Sequence, residues 1–97
     1  MRTIKGTNQF KRDRKRETKG KSAAYVDKLN AELFAVVTAL AIDKALQDRL
    51  QDHALSGDQK GRRECHVRPD LLLIYRKPDD STLELIRFGS HSELGLK

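Results

Sequence analysis

The hydrophobic pattern of this chain changes period once, and the change divides it into a helical and a sheet-forming half. From Val26 to Leu40, apolar residues recur at three- and four-residue steps (Val26, Leu29, Leu33, Val36, Val37, Leu40), which predicts one buried stripe on an amphipathic helix. Ser22 stands where the N-cap of that helix belongs. Upstream, Thr7 is placed to cap a shorter helix reaching about Lys19, with Gly20 to end it. Phe10 is its one large apolar residue, so this helix must lie on the body through Phe10 and the aliphatic stems of its Lys and Arg residues. Arg2 to Ile4 could start an edge strand.

Downstream, Arg63–Val67, Leu71–Lys77 and Thr82–Phe88 read as strands, with Pro78–Ser81 as a hairpin turn. The middle strand opens on Leu71, Leu72, Leu73, Ile74 and Tyr75, apolar throughout, so it is expected at the sheet centre with both faces covered. Between the halves, Ala45, Leu46 and Leu50 keep helical spacing, and propensity favours a further helical stretch over Asp43–Asp52. Ser56–Gly61 is a polar turn region. The expected architecture is α+β: a short N-terminal strand and two helices packed on a mainly antiparallel C-terminal sheet. Residues 1–42 form the strand-helix-helix part and residues 43–97 the connector and sheet of one domain.

Charge sharpens this picture. The net charge is +6 over 97 residues, but residues 1–21 hold nine Lys/Arg against Asp13 and Glu17, while the remainder is close to neutral. One basic N-terminal face is the footprint of a polyanion partner, and it favours nucleic acid over a merely solvated helix surface. No apolar run approaches the roughly 20 residues of a membrane span, and no signal-peptide core opens the chain. The single cysteine, Cys65, excludes an internal disulfide and fits a reducing cytoplasm. It is expected to pack in the core and not to act as a nucleophile.

The candidate chemistry lies in the second half. All three histidines (His53, His66, His91) are there, and Arg63–Asp70 followed by Arg87–His91 brings two of them together with Asp70 and Arg87. His, Asp and Arg supply what metal-free phosphodiester cleavage needs: a proton acceptor, a proton donor and positive charge for a crowded phosphate. Strict alternation puts Glu64 and His66 on one face of their strand, and Leu83, Leu85 and Arg87 on one face of theirs. The bland alternative for Arg87 is an ion pair with Asp70 or Glu64. Histidines thirteen and twenty-five positions apart match no compact zinc motif, so no metal is expected. No Gly-rich phosphate loop is present.

Residues 53–94 closely resemble the YafQ-type toxins of bacterial toxin–antitoxin modules, within the RelE/ParE superfamily. The resemblance rests on Gly57, Lys60-Gly61, Arg63-Glu64-Cys65-His66, Pro69-Asp70 and Arg87-x-Gly-Ser-His91. It implies a cytoplasmic mRNA interferase that cleaves messenger on the translating ribosome without metal or other cofactor. The 2′-hydroxyl would attack its neighbouring phosphate, leaving a 2′,3′-cyclic phosphate and a 5′-hydroxyl. Carried over position by position, the active-site residues are His53, His66, Asp70, Arg87 and His91. Arg87 would steady the phosphorane and His91 protonate the departing oxygen. His66 with Asp70 would deprotonate the attacking hydroxyl, and His53 would hold RNA or tune a neighbour.

Lys11, Arg12, Arg14 and Lys15 on the first helix, with Lys60, Arg62 and Arg63 near the site, are then the expected RNA contacts. The implied partners are the ribosome with its mRNA and a cognate antitoxin, and operator DNA only as the toxin–antitoxin complex. Family members often carry aromatics where this chain has Gln59, Arg62, Leu71 and Gly95; each stacking platform is worth about 1–3 kcal/mol per base. A relative that binds a protein target such as gyrase, or a noncatalytic RNA-binding module, is the competing class. The former would not need His66, Asp70 and His91 together.

Overall fold

Thr7 shows how the two halves are joined. In the computed structural model, which describes residues 1–59 and 61–95, its hydroxyl accepts from Phe10 N (3.0 Å) as the N-cap of α1 (Asn8–Thr18). The same hydroxyl donates to the Ile86 carbonyl (2.8 Å), so the cap is also a tether to the sheet. Just before it, β1 (Thr3–Gly6) runs parallel to β5 (Thr82–Gly89), from Thr3 opposite Thr82 to Gly6 opposite Leu85. Phe10 is buried as the composition of α1 demands, its ring 6.3 Å from that of Phe88. Gly20, at φ +74°, turns the chain into α2 (Ala23–Ala41), capped by Ser22.

Of the predicted stripe, Leu29, Leu33, Val36, Val37 and Leu40 are all buried. They pack with Cys65, Val67, Leu71, Leu73, Tyr75, Leu83, Leu85 and Phe88 in one core. Each large aliphatic side chain removed from water there contributes roughly 1.5–3 kcal/mol. The sheet order is β1-β5-β4-β3-β2, with β2 (His53–Ala54), β3 (Arg63–Arg68) and β4 (Leu71–Asp79) antiparallel to their neighbours. Leu71–Tyr75 is buried throughout, as expected of the central strand. The hairpin is tighter than predicted: β4 runs through Pro78 to Asp79, and the turn is Asp80–Ser81. A short α3 (His91–Leu94) follows β5.

Two expectations fail, for stated reasons. Residues 43–52 do not continue as a helix. Asp43 adopts φ +58°, and it is held out of helical register by Arg2 (2.9 Å) and Lys77 (2.6 Å), whose hydrogen bonds keep its carboxyl below the ordinary range. The segment then makes a single 3-10 turn (Asp48–Leu50) that buries Leu50. Nor does Arg87 share a face with Leu83 and Leu85. Tyr75 pairs with Leu85 but Ile74 pairs with Arg87, so Ile86 is an extra residue, a β-bulge. Beyond it the core-facing residue is Phe88, and Arg87 turns to the opposite face with Ile74. Among the described residues no helix is long and apolar enough to cross a membrane.

Candidate active site

The bulge and the strand register together build the site. Glu64 pairs with Ile74, His66 with Leu72, and Ile74 with Arg87, so Glu64, His66 and Arg87 all stand on the sheet face turned away from the core. His53 lies directly across from Glu64 on β2, a strand too short to announce itself by pattern. His91 is the first residue of α3, where Ser90 and Glu93 form a reciprocal capping box. The three histidines and Arg87 thus converge from four elements.

Glu64 is at their centre. Its side chain is buried, with Oε2 2.9 Å from His53 Nε2 and Oε1 3.5 Å from His91 Nε2. Oε1 has no hydrogen-bond partner among the described residues. An orphaned buried acceptor of this kind costs about 1–3 kcal/mol until a donor arrives. The rings of His66 and His91 meet edge-on, 5.9 Å between centroids. His66 Nδ1 lies 3.2 Å from the Pro69 carbonyl and His53 Nδ1 2.8 Å from that of Gln51. Carbonyls only accept, so both contacts assign the N–H to Nδ1. In the neutral ring this leaves the lone pair of His66 on Nε2. On His53, Nε2 faces a carboxylate, so that contact must hold a proton shared between ring and Glu64.

Arg87 pairs with neither Asp70 nor Glu64. Its partner is Asp13 on α1, which accepts from Nε (2.7 Å) and Nη2 (3.2 Å). Asp13 is 3% exposed and accepts as well from Phe88 N (3.0 Å) and Arg16 Nη1 (2.9 Å). Burial alone would push its carboxyl up. The Arg87 hydrogen bond, the Phe88 N–H and the Arg87 and Arg16 guanidinium groups outweigh burial and hold it below the ordinary 3.8. The sign for stability follows. A depressed folded value stabilises above the unfolded one and is lost as pH falls through it. In stepped-pH urea unfolding, the stability gap between wild type and Asp13→Asn should be widest near neutrality and close below pH 3.8. The charged groups facing Asp13 are Arg87 and Arg16, and through Arg16 also Glu17 and Glu93.

Asp70 is exposed in the turn after Pro69 and makes no side-chain hydrogen bond or ion pair among the described residues. Lys11, Arg12, Arg14 and Lys15 are exposed on α1, Arg14 resting on Asn30. Arg63 is engaged by Asp52 (3.2 Å) and the Tyr75 hydroxyl (3.3 Å), and Arg62 by Gln59 (3.1 Å). Lys60 lies outside the described residues. Cys65 is fully buried in the core, and burial first, with Asp52 and Glu64 nearby, pushes its thiol up to about 12. It is no nucleophile. Sequence reasoning passed over Glu64 and Asp13. Glu64 was detectable as the residue two before His66 on the same strand face, and Asp13 as one of two acids inside a basic helix.

Among solved structures, a metal-bound toxin from Helicobacter pylori superposes with a TM-score of 0.79 at 44% identity, covering 97% of this chain and 99% of that one. The Escherichia coli DinJ–YafQ complex gives 0.79 at 32% identity, covering 97% and 98%. The fold is therefore that of a small bacterial toxin. The chain belongs to the YafQ family, bacterial toxins of type II toxin–antitoxin systems, which it matches over residues 2–96. The mRNA interferase toxin YafQ of Escherichia coli K12 is 48% identical over 44 residues, 45% of this chain. That stretch spans about half the length of the relative (47%).

One donor set here fits a metal. One carboxylate oxygen of Glu64 and one ring nitrogen each of His66 and His91 lie within 4.8 Å of one another, and Glu64 Oε1 has no hydrogen-bond partner among the described residues. Two imidazole nitrogens and a carboxylate suit zinc or copper.

Proposed function

We propose that this chain is a ribosome-dependent endoribonuclease that cleaves mRNA in the A site. The observation that carries the reading is the convergence of His53, Glu64, His66, Arg87 and His91 on one solvent-facing sheet surface. The 2′-hydroxyl loses its proton to His66 Nε2 and its oxygen attacks the adjacent phosphorus. Arg87, whose Nη1 has no partner among the described residues, steadies the charge gathering on the phosphorane oxygens. His91 donates a proton to the departing 5′-oxygen. The products are a 2′,3′-cyclic phosphate and a 5′-hydroxyl, and proton exchange between His91 and His66 resets the site. Glu64, bridging toward His53 and His91, keeps the cluster's net charge in hand. Asp70 belongs to the turn whose Pro69 carbonyl fixes the His66 tautomer.

The reaction needs no metal in this scheme, because every proton has a named carrier. A divalent ion held by Glu64, His66 and His91 would supply Lewis-acid charge there, but it would occupy the lone pairs that the histidines use. Toxin stripped with EDTA and desalted before it meets the ribosomes should therefore cleave at an unchanged rate, and micromolar Zn²⁺ or Cu²⁺ should suppress cleavage, reversibly with a chelator selective for those ions over Mg²⁺. A rate that falls in the stripped toxin and returns with Zn²⁺ or Cu²⁺ would reverse this assignment.

The exposed Lys and Arg residues of α1 track ribosomal RNA phosphates in this reading, so association should weaken steeply with salt. Gln59 and Arg62 bind each other, and Leu71 is buried in the core, so base-stacking platforms are few and codon discrimination is expected to be loose. A cognate antitoxin, as DinJ is for the Escherichia coli toxin, covers the cleft, and operator DNA is bound only by the toxin–antitoxin complex. Mapping RNA 5′ ends after brief induction in cells tests the function. New ends in translated frames, at fixed codon register, support it; growth arrest without new ends would point to a protein target.

A further inference from the structure

We infer that Asp13 is a positioning residue for the ribonucleolytic site, setting the Arg87 guanidinium from the buried side of α1. The inference rests on the ribonuclease reading above and extends it to a residue outside the site face.

Asp13 spends its full accepting capacity on this task. A carboxylate offers about four lone-pair directions, and here four donors fill them: Arg87 Nε, Arg87 Nη2, Phe88 N and Arg16 Nη1. The paired contacts to Nε and Nη2 fix the plane of the guanidinium, as a single contact would not. The Phe88 contact ties the same carboxylate to the backbone just past the bulge, so side chain and strand are set together. Arg16 closes the frame from behind. It bonds Asp13 and the Phe88 carbonyl (3.0 Å), and its Nε lies 3.0 Å from Glu93 Oε2, in the capping box of the helix that carries His91. Gly89 makes room for it, since a Cβ there would stand 2.6 Å from Arg16 Nη2.

The need for such a clamp lies in Glu64. Glu64 and Arg87 flank Ile74 on neighbouring strands and share its face, about 10 Å apart at the backbone given a strand spacing of about 4.8 Å. A free Arg87 side chain is long enough to reach across, and the unpartnered Glu64 Oε1 would attract it. That contact would neutralise the phosphate-binding charge and block the carboxylate among the histidines. Asp13 prevents it by holding the guanidinium from the other side, with one edge left open.

The test is cleavage on programmed ribosomes by wild type, Asp13→Asn, Arg87→Ala and the double variant. Asn keeps the shape but turns an N–H toward a donor. We expect kcat to fall about 100-fold, the loss that a misplacement near 1 Å produces, with KM within about threefold. In the Arg87→Ala background, Asp13→Asn should cost nothing more. A full kcat in Asp13→Asn, or an equal further loss in the double variant, would overturn the inference. Full activity in Arg87→Ala would remove the role of Arg87 and overturn the inference with it, whereas no cleavage by the wild type would remove the ribonuclease reading beneath it. Should Asp13→Asn fail to fold, nitrogen-15 NMR of the wild type decides. A slowly exchanging Arg87 Nε–H supports the clamp, and exchange as fast as a free guanidinium refutes it.

Discussion

Replacing Arg87 with Ala should lower the cleavage rate on programmed ribosomes by about 100- to 1,000-fold, the effect of losing one preorganised charge donor to a developing anion. His91→Ala should match or exceed it, because a positioned general acid contributes about 100- to 10,000-fold. The two variants fail for different reasons. Arg87 is framed by Asp13, and its removal leaves a buried carboxylate held only by Arg16 and the Phe88 N–H. His91 is half exposed, with a 3.5 Å approach to Glu64 and an edge-on contact with the His66 ring, so its removal should barely change the unfolding midpoint. A His91→Ala protein with more than half the wild-type rate would end its assignment as the acid.

The second large effect concerns packing. Phe88 is 0% exposed and stacks at a tilt on Phe10, the anchor of α1. Phe88→Ala keeps the backbone N–H that Asp13 needs but opens a cavity between α1 and the sheet. The expected cost is about 3–5 kcal/mol in urea unfolding. That is a large share of the roughly 5–15 kcal/mol available to a domain of this size. A loss under 1 kcal/mol would mean that α1 is held by its polar contacts and not by Phe10.

These results bear on what a one-dimensional pattern carries. The α2 stripe, both helix caps and the doubly buried central strand were legible because each depends on residues close in sequence. The 43–52 segment was misread because its fate is decided at Asp43 by Arg2 and Lys77, both more than thirty positions away. At the site, the histidines and Arg87 stood out by chemistry, whereas Glu64 and Asp13 did not, since a carboxylate amid charged residues reads as surface. Only the three-dimensional register shows that one faces three imidazoles and the other a guanidinium.

The extra residue at Ile86 gives β5 a property that ordinary loops lack. Up to Leu85 the strand counts in twos from its start, and from Phe88 onward it counts in twos from its end, with the phase reversed. Straightening the bulge with Ile86 retained would impose unbroken alternation from Leu83 and turn Arg87 to the face of Leu83 and Leu85, with Phe88 cast to the opposite one. A one-residue slip of register, which most surface segments absorb, would here exchange an anion-binding edge for a buried charge. In comparisons across the family, a gap at Ile86 is therefore compatible with the site, because it leaves Leu85, Arg87 and Phe88 in plain alternation with the arginine still outward.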